Sequence, residues 1–192
     1  MCIRERPKAA LPFGDTTALG LVLDTLREAG LPPALVVAGA HPDEVRTAFG
    51  RRQATLVKNP RWAEGRATSL QAGLAALPPG TEAFLLWPVD VPLPGADVVT
   101  ALLAARAKSP DKLAWVPSHK DRRGHPALFS TKTAELFQKL KPDGPARDVV
   151  RTLASRDQLE HVVVADATVL EDMDTPEEHA KLVELWKARG GA

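Results

Sequence analysis

The sequence predicts an α/β fold, three layers with a mostly parallel sheet at the centre, and three observations predict it. Short runs rich in valine and leucine alternate with segments of helical period, the pattern of strand–helix units whose sheet is covered on both faces. The run AFLLWPV at 83–89 is apolar throughout and ends in one carboxylate, Asp90, followed by Val91 and Pro92. Such a run is a strand buried on both sides, and its carboxyl end is where open α/β sheets bind ligands. Seventeen prolines and thirteen glycines punctuate the periodic segments, so the 192 residues read as one domain, 1–192, without linker or repeat.

Taken in order, Leu19, Val22, Leu23 and Leu26 recur at helical spacing after Asp15, Thr16 and Thr17, and Gly30 with Pro32 stops a helix over 16–29. ALVVAG at 34–39 is a strand, and HPDEVRTAF at 41–49 a helical turn entered through Pro42. TLVKN at 55–59 is a second strand. Leu70, Leu74 and Leu77 share one face of a helix over 68–77, closed by Pro78, Pro79 and Gly80. Beyond the strand at 83–89, residues 96–107 are helical and KLAWVP at 112–117 is a strand. ALFS at 127–130 is another strand, followed by a helix at 131–140 and a short one around Val149, Val150 and Leu153. HVVVAD at 161–166 is the last strand and PEEHAKLVELWKA at 176–188 an amphipathic closing helix. The two strands within 112–130 have no helix between them, which marks a local antiparallel excursion in the sheet.

Twenty-five Lys and Arg nearly balance twenty-four Asp and Glu, so no broad field exists to hold nucleic acid or an anionic membrane, and any anion site is local. No apolar run approaches the roughly 20 residues that span a bilayer. The only cysteine, Cys2, has no internal disulfide partner, and the charged opening MCIRERPK carries no signal-peptide core, which together fit a reducing cytoplasm. Zinc spacings, a nucleophile elbow, a Walker A motif and a Gly-x-Gly-x-x-Gly loop are all missing from the sequence.

Four motifs carry chemistry. An isolated carboxylate at Asp90 needs a partner, and a hydrated divalent cation is a natural one; Asp also caps turns before proline. In NPRWAEGRATSLQAGL at 59–74, a loop with Asn59, Trp62 and Gly65 leads into a helix whose first turn holds Thr68 and Ser69. Free amides there favour anionic or carbonyl groups of a ligand, while an ordinary N-cap and a packed tryptophan explain the same residues. In DRRGHP at 121–126, Gly124 permits a close backbone approach and His125 can donate or accept a proton near neutrality, though both also suit a turn. In EDMDTPEE at 171–178, Asp172 and Asp174 are two apart and face one side of an extended segment, so both reach one cation. Asp174 or Thr175 equally caps the helix that begins at Pro176.

In order along the chain, PKAALPFGDTTALGLVLDTLREAGL, VVAGAHPDEV, NPRWAEGRATSLQAGL, LLWPVDVPL, RRGHPALFS and LEDMDTPEEH resemble the molybdenum cofactor cytidylyltransferase (MobA/MocA-like) group of nucleotidyltransferases. The resemblance runs from about Pro7 to the closing helix. It implies a Rossmann-like nucleotidyltransferase fold and transfer of a nucleoside monophosphate from an NTP, CTP ahead of GTP, to a small phosphorylated acceptor such as molybdopterin, with release of pyrophosphate. It implies Mg²⁺ at Asp90 with Asp172 and Asp174, Lys8 on phosphate as a catalytic residue beside Asp90, Gly65 and Ser69 against the nucleotide, and Gly124 and His125 at the acceptor. Phosphoryl-type transfer depends on positioning, a metal and a cation on the developing charge, which this distribution supplies. A sugar phosphate or another phosphorylated metabolite is a further acceptor class.

The family opens on an apolar strand and a glycine-rich loop ahead of its lysine. Aligned on Pro7 and Lys8, Ile3 stands at the loop arginine, Arg4 at its methionine and Glu5 at its second glycine. The expectation is a vacant central strand position between 34–38 and 83–89, with two unpaired edges. Three outcomes accommodate it: a start of translation upstream of Met1, strands that close up into a catalytically impaired binding or interaction module, or a second chain, as in a homodimer, lending an edge partner.

Overall fold

The computed structural model describes residues 7–191, and the expectations attached to Cys2, Ile3, Arg4 and Glu5 lie outside the described residues. A hairpin that the sequence pattern does not announce comes first, β1 (Pro12–Phe13) and β2 (Thr16–Thr17), turned at Gly14 with φ +58°. Thr16 and Thr17 therefore belong to a strand, and α1 (Ala18–Glu28) starts where the Thr17 hydroxyl accepts from Gly20 N–H. Then come β3 (Ala34–Ala38), α2 (Pro42–Ala48) with Pro42 at its first position, β4 (Ala54–Lys58) and α3 (Arg66–Ala75). The first strand of the larger sheet, β5 (Ala83–Leu86), is shorter than the apolar run suggests. Pro88 cannot donate to a ladder, and a turn takes over at once: Trp87 Nε1 donates to the Val91 carbonyl and Val91 N–H to that of Pro88.

The second half adds α4 (Ala96–Lys108), β6 (Ala114–His119), β7 (Arg122–Arg123) and β8 (Ala127–Ser130). The helix expected at 131–140 divides into a 3₁₀ turn at Thr131–Thr133 and α5 (Ala134–Gln138). After α6 (Arg147–Ser155), β9 (Leu159–Val163) begins and ends earlier than its run of valines, because its register follows β6, with Ala114 opposite Leu159 and Ser118 opposite Val163. The closing helix α7 (Pro176–Ala188) spans the residues the sequence assigns to it.

Beside the β1–β2 hairpin, pairing gives two sheets. Strands β3 and β4 run parallel, and in the larger sheet β8 lies between β5 and β6 with β9 parallel to β6. Strands β5, β6 and β9 share one direction; β8 opposes them, and β7 folds back on β6 as a short hairpin. This is the mostly parallel, doubly wound sheet with its antiparallel excursion, as the sequence predicts. Among the described residues no ladder joins β3 to β5, so the two strands do not close up on each other. Their residues are only half-buried, save Ala38, whereas those of β6 are mostly buried.

Alternation sorts the side chains into layers. Phe84, Leu86, Ala114, Val116, Ala127 and Phe129 face α5 and α6, where Phe129 meets Phe137 edge-on at 5.2 Å. Ala83, Leu85, Trp115 and Leu128 face Val98, Leu102 and Ala105 of α4. Val36 and Ala38 pack with Leu19, Leu23, Val45 and Phe49. A last cluster joins Phe13 and Ala18 to Met173 and Leu182, which docks α7 against the first elements of the chain. Among the described residues no helix is long and apolar enough to cross a membrane.

Candidate functional site

The carboxyl ends of the parallel strands bring three charged residues together. Lys8 lies on a 3₁₀ turn (Lys8–Ala10) entered from Pro7. Its Nζ donates to Asp90 Oδ2 at 3.2 Å and to Asp174 Oδ1. Asp90 sits in the turn after β5 rather than on the strand, and its backbone carbonyl accepts from Met173 N–H at 3.0 Å. That bond sets 172–174 alongside Asp90. Met173 is fully buried, so its neighbours Asp172 and Asp174 point outward together, as the two-residue spacing predicts.

The cap of α7 fixes Asp174 further. The Thr175 hydroxyl accepts from Glu178 N–H, and Glu178 Oε2 accepts from Thr175 N–H and Asp174 N–H, each at 2.8 Å. Thr175 is therefore the cap, and the Asp174 carboxylate is left for Lys8.

Protonation follows from these contacts. Burial pulls the Lys8 pKa down, but the bonds and charges of Asp174 and Asp90 outweigh it and hold the ammonium above its ordinary value. The Lys8 contact lowers Asp174, with the Arg66 charge helping. Asp172 is raised, first by loss of water and then by the charges of Asp174, Glu178 and Asp90. His125 lies at the open rim, yet the protein around its ring lowers its pKa against the opposing pull of Asp90 and Asp172. Among the described residues no three His, Cys, Asp or Glu side chains converge as a ready-made metal cage, and Lys8 is what bridges Asp90 to Asp174.

Gly65 and Ser69 lie at the start of α3. Gly65 is the N-cap of α3 at φ +143°, a region that favours glycine. A Cβ there would lie 2.2 Å from the Pro142 carbonyl oxygen, which also accepts from Ala67 N–H at 3.0 Å. Asn59, 3 % exposed, donates through Nδ2 to Thr68 Oγ1 at 2.9 Å and Ser69 Oγ at 3.0 Å and accepts from Arg61 N–H at 2.9 Å. Gly124 is held by Val169, whose carbonyl oxygen would be 2.4 Å from a Cβ and accepts from His125 N–H at 2.8 Å. The close approach that Gly124 allows is thus made by the protein's own backbone.

Two residues escape the sequence reading of roles. Asn59 is the buried anchor of the loop before α3, and Arg66 sends its charge toward Asp174. A cation in the first turn of a helix opposes the helix dipole, and that misplacement is the signal that singles out Arg66.

No curated protein matches the chain in sequence. Among solved structures, the homologue of Mycobacterium tuberculosis rv0371c from Mycobacterium sp. strain JC1 is similar at 25% identity and TM-score 0.80, over 96% of this chain and 90% of that one. Rv0371c of M. tuberculosis H37Rv in complex with manganese is 26% identical, TM-score 0.76, over 93% and 91%. Molybdopterin-guanine dinucleotide biosynthesis protein A of Archaeoglobus fulgidus, 13% identical with TM-score 0.65 over 94% and 91%, shares the fold. A family model matches residues 3–179, which includes Lys8, Asp90, Asp172 and Asp174, and on that match the chain belongs to the family of the MobA-like NTP transferase domain.

Proposed function

We propose that this protein is a Mg²⁺-dependent nucleotidyltransferase that moves a nucleoside monophosphate from an NTP, CTP ahead of GTP, to a phosphorylated acceptor of the molybdopterin kind. In that reaction an acceptor phosphate oxygen attacks the α-phosphorus, the α–β P–O bond breaks and pyrophosphate leaves. One observation carries the reading: Lys8, Asp90 and Asp174, remote in sequence, converge at the strand ends with Asp172 and His125 beside them. Lys8 would set its ammonium against the phosphates, where charge develops. Gly65 and Ser69 would bound the nucleotide, and Gly124 and His125 the acceptor.

The donor chemistry of the carboxylates suits a divalent cation, although Lys8 bridges Asp90 to Asp174 where the ion would lie. Asp172 is raised partly by crowding from neighbouring acids, a repulsion that a cation relieves, and an all-oxygen donor set suits Mg²⁺. Asp90, Asp172 and Asp174 would hold it, where it supplies charge neutralisation and orientation of the phosphates. The manganese complex of Rv0371c supports a divalent ion in a relative.

The test is thermal unfolding with Mg²⁺ and each of the four NTPs, paired with pyrophosphate release. Stabilisation that Asp90→Ala removes is expected; a melting curve indifferent to all four would sink the reading. The engagement of Lys8 with both Asp90 and Asp174 favours one other reading, a binding module of the same fold, which predicts no pyrophosphate with any NTP and acceptor.

A further inference from the structure

Trp62 is half exposed, at 50%, and with Val163 it is one of two large apolar side chains left so among the described residues. Its turn and the root of its side chain are nevertheless held. It opens a 3₁₀ turn (Trp62–Glu64) that Arg61 and Glu64 bracket with two bonds of 2.9 and 2.7 Å, and Asn59 ties Arg61 to the start of α3. The indole root rests on Gly39, just beyond β3: a Cβ on Gly39 would lie 2.5 Å from Trp62 Cβ and 2.9 Å from its Cγ. Gly39 in turn lines a cavity of about 210 Å³ whose other walls include Lys8, Ala38, His41 and Val89.

An aromatic seated at its root on Gly39 thus stands beside a cavity whose walls include Gly39 and the lysine of the site. The adjacent turn leads directly into Gly65 and Ser69. We infer that Trp62 is the stacking platform for the nucleobase of the incoming NTP, an inference that rests on the nucleotidyltransferase reading. A flat π-face packs against any base, so Trp62 supplies affinity without choosing among bases. Base choice then belongs to polar groups elsewhere in the site.

Calorimetric titration of the full chain with Mg²⁺ and each NTP, and with Mg²⁺ and inorganic tripolyphosphate, tests this. Trp62→Ala should weaken every NTP by a similar factor, about 10-fold or more given the usual worth of base stacking. Tripolyphosphate, which has no base, should bind the variant and the wild type alike. Trp62→Phe should bind NTPs within a few-fold of wild type, and NTP should quench the tryptophan emission of the wild type more than that of this variant, which keeps the other three tryptophans. Equal NTP affinity in wild type and Trp62→Ala overturns the stacking role and leaves the nucleotidyltransferase reading intact. Loss of tripolyphosphate affinity to the same degree as NTP also overturns it, since the change then acts through the fold. A wild-type protein that binds no NTP overturns both.

Discussion

Replacing Asn59 by Ala should lower stability by about 3 kcal/mol. The amide is buried and makes three hydrogen bonds, two donated to hydroxyl oxygens on α3 and one accepted from Arg61 N–H. A typical intramolecular bond contributes about 1 kcal/mol net, and a buried group left without a partner costs more. At about 2–4 °C per kcal/mol for a chain of this size, reversible thermal unfolding followed by far-UV circular dichroism should show a fall of roughly 10 °C. The companion change Asn59→Asp separates the bonds. It keeps the oxygen facing Arg61, and Ser69 can turn its hydroxyl to donate. The Thr68 hydroxyl is already committed to the carbonyls of Arg61 and Gly65, so the new carboxylate meets an acceptor there. An intermediate loss is expected. A melting temperature for Asn59→Ala within about 2 °C of wild type, or an Asp variant more stable than wild type, would refute the claim that this amide anchors the loop, since even one lost bond predicts more.

Gly65→Ala should cost at least about 2 kcal/mol, since φ +143° is strained for alanine and the new Cβ meets the Pro142 carbonyl; chemical denaturation measures it, and a neutral variant would show that the loop shifts freely. Lys8→Ala should change stability by less than about 1 kcal/mol, because Asp174 is largely exposed, while slowing pyrophosphate release on the order of 100-fold; the opposite ranking would make Lys8 structural. Asp166→Asn tests a pH dependence. Burial would raise the Asp166 pKa, but bonds from Arg189 and Thr168 outweigh it and hold it below the ordinary 3.8. A depressed carboxylate adds stability above its unfolded pKa and loses it as pH falls through the folded one. The gap in melting temperature between wild type and variant should therefore be full near neutrality and shrink below about pH 3.8; a gap that widens in acid would reverse the assignment.

The parts of the fold written in local chemistry were readable. Thr175, Pro176 and Glu178 spell out the start of α7, and the interruption of helices between 112 and 130 marks the reversed β8. Elements set by partners were not. The β9 register is decided by β6, and β5 stops where Trp87 and Pro88 find a turn, neither of which an apolar run reveals. In the site, the common outward face of Asp172 and Asp174 follows from period two with Met173 turned inward. That Lys8 lies between Asp90 and Asp174 depends on contacts across the whole chain, and no local spacing encodes them. Whether Trp62 is buried depends on Gly39, more than twenty positions earlier, and on what else covers the loop.

The contact between Lys8 and Asp174 joins positions 166 residues apart. During synthesis, the strands and most helices leave the ribosome before Asp174 does. Until α7 docks through Leu182 on Phe13 and Met173, a growing chain can own its sheet and have no site. Arg189, at the far end of α7, clamps Asp166 and the Leu93 carbonyl, so the last helix is pinned at both ends. A chain cut short before Asp174 would keep most of its packed sheet while losing the carboxylate that meets Lys8, which makes the arrival of α7 the step that assembles the charged triad.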